Sequence, residues 1–122
     1  MMYTYKILGE TPSKKNSRIT LKNGMNIPSK CYRNWHKDAE LQIKKQAIPE
    51  KPIDSPVVVY LEFVHGDRRR RDSDNGTSSI MDLLQDCKVI SDDNWQIIQT
   101  IIVTNKYDKG NAACFVTIIP AK

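Results

Sequence analysis

Cysteine is scarce in this chain. The three present, Cys31, Cys87 and Cys114, are odd in number and far apart, and none belongs to a Cys-x-x-Cys pair or a Cys/His cluster. That excludes a disulfide framework and a structural zinc knuckle. Long apolar runs are missing too, so no segment is expected to span a bilayer, and the first residues lack a secretory pattern. A cytoplasmic protein with no membrane partner is the expectation. Only five glycines occur, and they form neither a Walker loop nor a dinucleotide fingerprint. Gly-x-Ser-x-Gly and His-Glu-x-x-His are also missing. With aromatics at 7%, no basic aromatic stripe exists for stacking single-stranded bases. His36 and His65 lack metal-pair spacing and read as solvated or capping histidines.

What remains is ordinary globular composition in 122 residues, with 39% hydrophobic and 27% charged side chains. One domain over residues 1–122 is expected. The net charge of +5 is unevenly spread. Residues 1–71 hold 15 Lys/Arg against 7 Asp/Glu, whereas residues 72–122 hold 4 against 7. A basic half favours a polyanionic partner such as nucleic acid.

The hydropathy pattern alternates between strand and helix periods. Residues 3–8 read as a strand and 12–18 as a polar loop. Asn23-Gly24 marks a two-residue hairpin turn. Ser29 caps a helix running to about Ala47, with Tyr32, Trp35, Ala39, Ile43 and Ala47 on its apolar side and Lys30, Arg33, Lys37 and Lys44 on another face. Residues 56–64 form the strongest strand, being rich in β-branched residues. A charged loop leads to a second helix from Gly76 or Thr77, with Ile80, Leu83, Leu84 and Cys87 on one stripe. Strands over about 95–104 and 112–119 complete an α+β fold, a mixed sheet with two helices.

Chemistry concentrates between Asp72 and Asp93, which includes six aspartates and no glutamate. In an extended segment, Asp72 and Asp74 would project the same way. Gathered carboxylates repel unless a cation holds them. Mg²⁺ is such a cation: it takes hard oxygen ligands, polarises phosphoryl oxygens and activates water. An EF-hand is excluded, because Thr77 and Leu83 fall where its glycine and glutamate belong. Arg68 to Arg71 adjoin the acids and suit phosphates. Taken singly, each aspartate reads as a cap or turn former; taken together beside the four arginines, they favour metal chemistry.

The segments Arg69-Arg70-Arg71-Asp72-Ser73-Asp74-Asn75, Asp82-Leu83-Leu84 and Val89-Ile90-Ser91-Asp92-Asp93 resemble the RusA family of Holliday junction resolvases, found widely in prophages. Pro12-Ser13-Lys14-Lys15-Asn16-Ser17-Arg18 and the Pro28 to Lys37 segment extend the likeness almost end to end. The resemblance implies a homodimeric endodeoxyribonuclease that nicks four-way junctions in pairs, in DNA recombination and repair, using Mg²⁺ or Mn²⁺. It implies Asp72, Asp74 and Asp93 as catalytic metal ligands, with the adjacent Asp92 supporting them at the metal. Phosphates are assigned to Lys14, Lys15, Arg69, Arg70 and Arg71. The family's catalytic lysine falls at Ser78, so Lys14, Lys15 or Arg71 is expected to supply its charge. The competing readings are a non-catalytic binder of branched DNA and a protein-interaction module.

Overall fold

The computed structural model describes residues 2–14 and 18–122. The elements in chain order are β1 (Tyr3–Leu8), β2 (Arg18–Thr20), β3 (Asn26–Pro28), α1 (Lys30–Lys44), β4 (Val57–His65), α2 (Thr77–Asp86), β5 (Ile98–Tyr107) and β6 (Ala113–Pro120). The main sheet has the order β1-β6-β4-β5. The β1–β6 and β4–β6 pairs are antiparallel and β4–β5 is parallel, so the sheet is mixed and the fold α+β as expected. No helix among the described residues is long and apolar enough to cross a membrane.

Strand periodicity decides which face meets the helices. Val57, Val59, Leu61 and Phe63 of β4 are buried, as are Val116 and Ile118 of β6 and Tyr5 and Ile7 of β1. Against them pack Ala39 and Ile43 of α1 and Ile80, Leu83 and Leu84 of α2. Each fully buried Ile or Leu contributes about 2 kcal/mol, so α2 is firmly seated. Its end is also fixed. Lys88 adopts φ 62°, and the Lys88 and Val89 N–H groups donate back to Gln85 and Leu84 carbonyls at 3.0 and 2.9 Å. This is a Schellman closure with lysine in the position that favours glycine.

The two sheet edges differ. Gln42 of α1 and Gln46 just beyond its end lay their amides along β1, accepting from the Leu8 and Lys6 N–H groups at 2.7 and 3.1 Å and donating to the same residues' carbonyls. β5, at the other edge, is mostly exposed.

Four boundaries depart from the sequence reading. α1 ends at Lys44, and Ala47 lies beyond it, where its carbonyl accepts the Tyr5 hydroxyl at 2.7 Å. β2 and β3 pair Thr20 with Asn26, so the connection spans five residues and only Gly24 takes a positive φ. β5 begins at Ile98 because Asn94 builds a turn, its Oδ1 accepting from Gln96 N–H and its carbonyl from Ile97 and Ile98. Asp72 to Asn75 is turned rather than extended, with Asn75 N–H donating to the Asp72 carbonyl and Thr77 N–H to that of Asp74.

Candidate active site

The turn after β4 and the segment before β5 border one cavity of about 440 Å³, lined by Asp72, Asp74, Asp93, Ser78, Thr77 and Ser13 among others. The sequence left the meeting of Asp93 with Asp72 and Asp74 dependent on the fold; α2 and the return to β5 bring all three to this cavity. Gly76 lets the turn sit close to the sheet, since a Cβ there would meet Phe63 at 2.8 Å and Thr11 at 2.9 Å. Gly76, and not Asp74, is the N-cap of α2, and no side chain caps that end.

The carboxylates of Asp72, Asp74 and Asp93 have no hydrogen-bond donor or cation as partner among the described residues. All three residues are exposed. They are neither caps nor ion-pair partners, and a divalent cation fits the set, since Mg²⁺ typically takes a few carboxylates and completes its shell with water and phosphate. The three share the cavity without closing to the 4.8 Å ligand spacing found elsewhere in the molecule. Asp92 stands beside the cavity rather than in its lining. Its oxygens accept from Asp93 N–H at 2.7 Å and from the Asn94 side chain at 3.1 Å. The Asn94 amide first, then the Asp93 N–H, holds the Asp92 carboxyl below the ordinary range. Asp92 thus helps to shape the turn that leads to Asp93.

Two of the expected phosphate-binding cations are occupied internally. Arg71 is only 13% exposed and pairs with Glu10 at 3.1 Å and Asp67 at 3.0 Å. That guanidinium, followed by the Arg69 N–H, lowers the Asp67 carboxyl. Lys14 pairs with Asp82 at 3.0 Å, and its N–H donates to Ser79 Oγ. Neither cation is among the residues that line the aspartate cavity. Lys15 lies outside the described residues. Arg69 and Arg70 are exposed, and Arg68 lies over the Tyr107 ring at 4.2 Å. Arg68 and Arg69 border an adjoining concavity of about 410 Å³ that shares Asp72 with the first.

Sequence reasoning missed the chain of contacts that holds the aspartate turn. Asn105 of β5 donates its Nδ2 to the Ser73 carbonyl, between the two aspartates, at 2.8 Å. Its Oδ1 is left facing His65 Nε2 at 2.8 Å, and His65 Nδ1 faces Glu10 Oε2 at 2.8 Å. A carboxylate and an amide oxygen can only accept, so both bonds form only when both ring nitrogens carry hydrogens. His65 is thus a bonded element of the site rather than a solvated side chain. Ser79, fully buried, was missed as well; its hydroxyl donates to the Pro12 carbonyl at 2.6 Å and pins the loop bearing Ser13 to α2. The only signal for it was a hydroxyl next to the apolar stripe of α2.

A family model described as endodeoxyribonuclease RusA matches residues 9–119. A crossover junction endodeoxyribonuclease RusA from Aquifex aeolicus (strain VF5) is 28% identical over 114 residues, covering 93% of this chain and 88% of that protein.

Proposed function

Because the chain belongs to the RusA endodeoxyribonuclease family, we propose that it resolves four-way DNA junctions by paired, Mg²⁺-dependent nicks, with Asp72, Asp74 and Asp93 as the metal ligands. The observation that carries this reading is the cavity itself, where three carboxylates of an endonuclease-family chain meet solvent with no partner among the described residues. Mg²⁺ held there would neutralise phosphate charge and make water a better nucleophile, and Mn²⁺ is an expected substitute. Ser78, which lines the same cavity, offers a hydroxyl to a phosphate oxygen or to water but no charge. Arg69 and Arg70, together with Lys15, would hold backbone phosphates, fixing orientation without reading sequence. Arg71 instead braces the loop.

A junction has approximate two-fold symmetry and this chain offers one aspartate cavity, so symmetric cuts call for a homodimer. The sheet face turned away from the helices supports that: Tyr60, Ile102 and Phe115 are all about 40% exposed there. Incubating the protein with a labelled synthetic junction tests the function. Paired nicks are expected with Mg²⁺, none with a chelator, and none from Asp74→Asn despite retained junction binding. Binding without cleavage by the parent protein in Mg²⁺ and in Mn²⁺ would favour a non-catalytic branched-DNA binder.

A further inference from the structure

A second group of ligating side chains converges between the two helices, apart from the aspartate cavity. His36 and Glu40 stand one turn apart on α1, as do Asp82 and Asp86 on α2, and residues at this spacing share a helix face. One ligating atom each of His36, Asp82 and Asp86 falls within 4.8 Å of the others. Glu40 Oε1 and Asp86 Oδ2 both approach the same atom, His36 Nε2, at 2.9 and 2.8 Å. A ring nitrogen carries at most one hydrogen and cannot donate fully to two carboxylates. The compensating cations are few: Lys14 reaches Asp82, and Lys44 reaches Glu40 only at 3.8 Å.

The imidazole is set in place by packing. Its ring stacks on Tyr32, with centroids 5.8 Å apart, and meets Trp35 edge-on at 6.1 Å. The side chain is 14% exposed, and its Nδ1 is buried without a hydrogen-bond partner among the described residues. Nε2 is therefore the nitrogen presented to the carboxylates. Asp86, half exposed, leaves the cluster open to solvent along a cavity of about 360 Å³. Donor separations of 2.8–2.9 Å are close to the edge of a coordination octahedron with bonds of about 2.1 Å.

We propose that His36, Asp82 and Asp86, with Glu40 as a fourth donor, form a metal site separate from Asp72, Asp74 and Asp93, and that it takes a first-row divalent transition ion of the Zn²⁺ or Mn²⁺ class. The imidazole distinguishes it from the all-oxygen aspartate set, which suits Mg²⁺. An ion here ties α1 to α2, the helix that carries Ser78.

The test uses metal-stripped full chain carrying Asp72→Asn and Asp74→Asn, so that binding at the first cavity is removed. Calorimetric titration with Zn²⁺ in millimolar Mg²⁺ should give one equivalent bound, and the melting temperature should rise. Adding His36→Gln or Asp86→Asn should weaken that affinity at least about tenfold. The exposed Asp86 keeps one of these variants clear of the core, and circular dichroism without metal checks both folds. With Co²⁺ as the probe, visible absorption bands should appear and be lost in His36→Gln. The site is overturned if no Zn²⁺ binds the parent double variant, if excess Mg²⁺ displaces it, or if neither added substitution changes the affinity.

Discussion

Carboxylates at the two ends of α2 are partnered in opposite ways. Before its first turn, Asp72 and Asp74 face solvent with no donor or cation among the described residues, and Asp93 joins them from across the cavity. Further along, Asp82 takes both the Lys14 ammonium at 3.0 Å and the Tyr32 hydroxyl at 3.3 Å, and Asp86 pairs with His36 at 2.8 Å. Burial first, then the charge of Asp82, pushes the Tyr32 hydroxyl well above its ordinary value, so it stays a donor. The first set contributes little to folding, whereas the second joins α1, α2 and the loop before β2. One helix thus separates acids left without a partner among the described residues from acids that tie neighbouring elements together.

Neutralising each set breaks the comparison most directly. Asp74→Asn should lower Mg²⁺-dependent nicking by at least about a hundredfold. It should leave the melting temperature unchanged or slightly raised, because it relieves repulsion among exposed like charges. Asp82→Asn in chelator should do the reverse to stability, costing about 1 kcal/mol as one charged acceptor is lost. Thermal melts of both variants in metal-free buffer decide this. A lower melting temperature in Asp74→Asn would return that residue to the role of cap or turn former.

Ser78→Lys probes what the aspartate cavity lacks. With Lys14 and Arg71 held at Asp82 and Glu10, an ammonium at position 78 would be the cation beside developing phosphate charge. Nicking should rise about tenfold at limiting Mg²⁺. An unchanged or lower rate would point to Lys15 as the existing source of charge.

Asn105 sharpens the comparison from the other side, because it holds the free aspartates through the backbone alone. Asn105→Leu removes its bond to the Ser73 carbonyl, and the Mg²⁺ concentration for half-maximal rate should rise about tenfold. The rate at saturating Mg²⁺ should largely recover. Asn105→Asp still accepts from His65 but cannot donate to Ser73, so it should behave like Asn105→Leu. Recovery of parent behaviour in the Asp variant would refute the positioning role.

Much of this was legible in the sequence, and the rest follows one physical pattern. Periodicity and cap chemistry located both helices and the four strands of the main sheet, because those signals are local. Residue type and clustering marked the stretch from Asp72 to Asp93, and the family resemblance singled out Asp72, Asp74 and Asp93 within it. What escaped were pairings between residues far apart in the chain: Arg71 with Glu10, Lys14 with Asp82, and His65 with Asn105. A run of four arginines looks uniformly available to phosphate, yet only the fold reveals that its last member turns inward. His36 looked solvated for the same reason, since its partner Asp86 comes from another helix.

The smallest expected effect lies at Lys88, where α2 passes from its assembly end toward Asp93. Its φ of 62° is left-handed, a conformation in which the lysine Cβ crowds the backbone. The closure is otherwise well made, with the Lys88 and Val89 N–H groups both donating, and Val89 and Ile90 continuing into the core. The exposed lysine side chain forms no ion pair among the described residues. Lys88→Gly should therefore relieve strain while removing little else. Glycine's greater freedom in the unfolded chain offsets part of that gain, leaving a net stabilisation of about 0.5–1 kcal/mol. For a domain of this size that corresponds to a melting temperature higher by about 2–4 °C. Nicking should stay at the parent level, because the direction of the chain toward Asp93 is preserved. Lys88→Ala keeps the Cβ and should show no such rise. If Ala stabilises as much as Gly, the gain comes from removing a charge, and the left-handed turn is not strained.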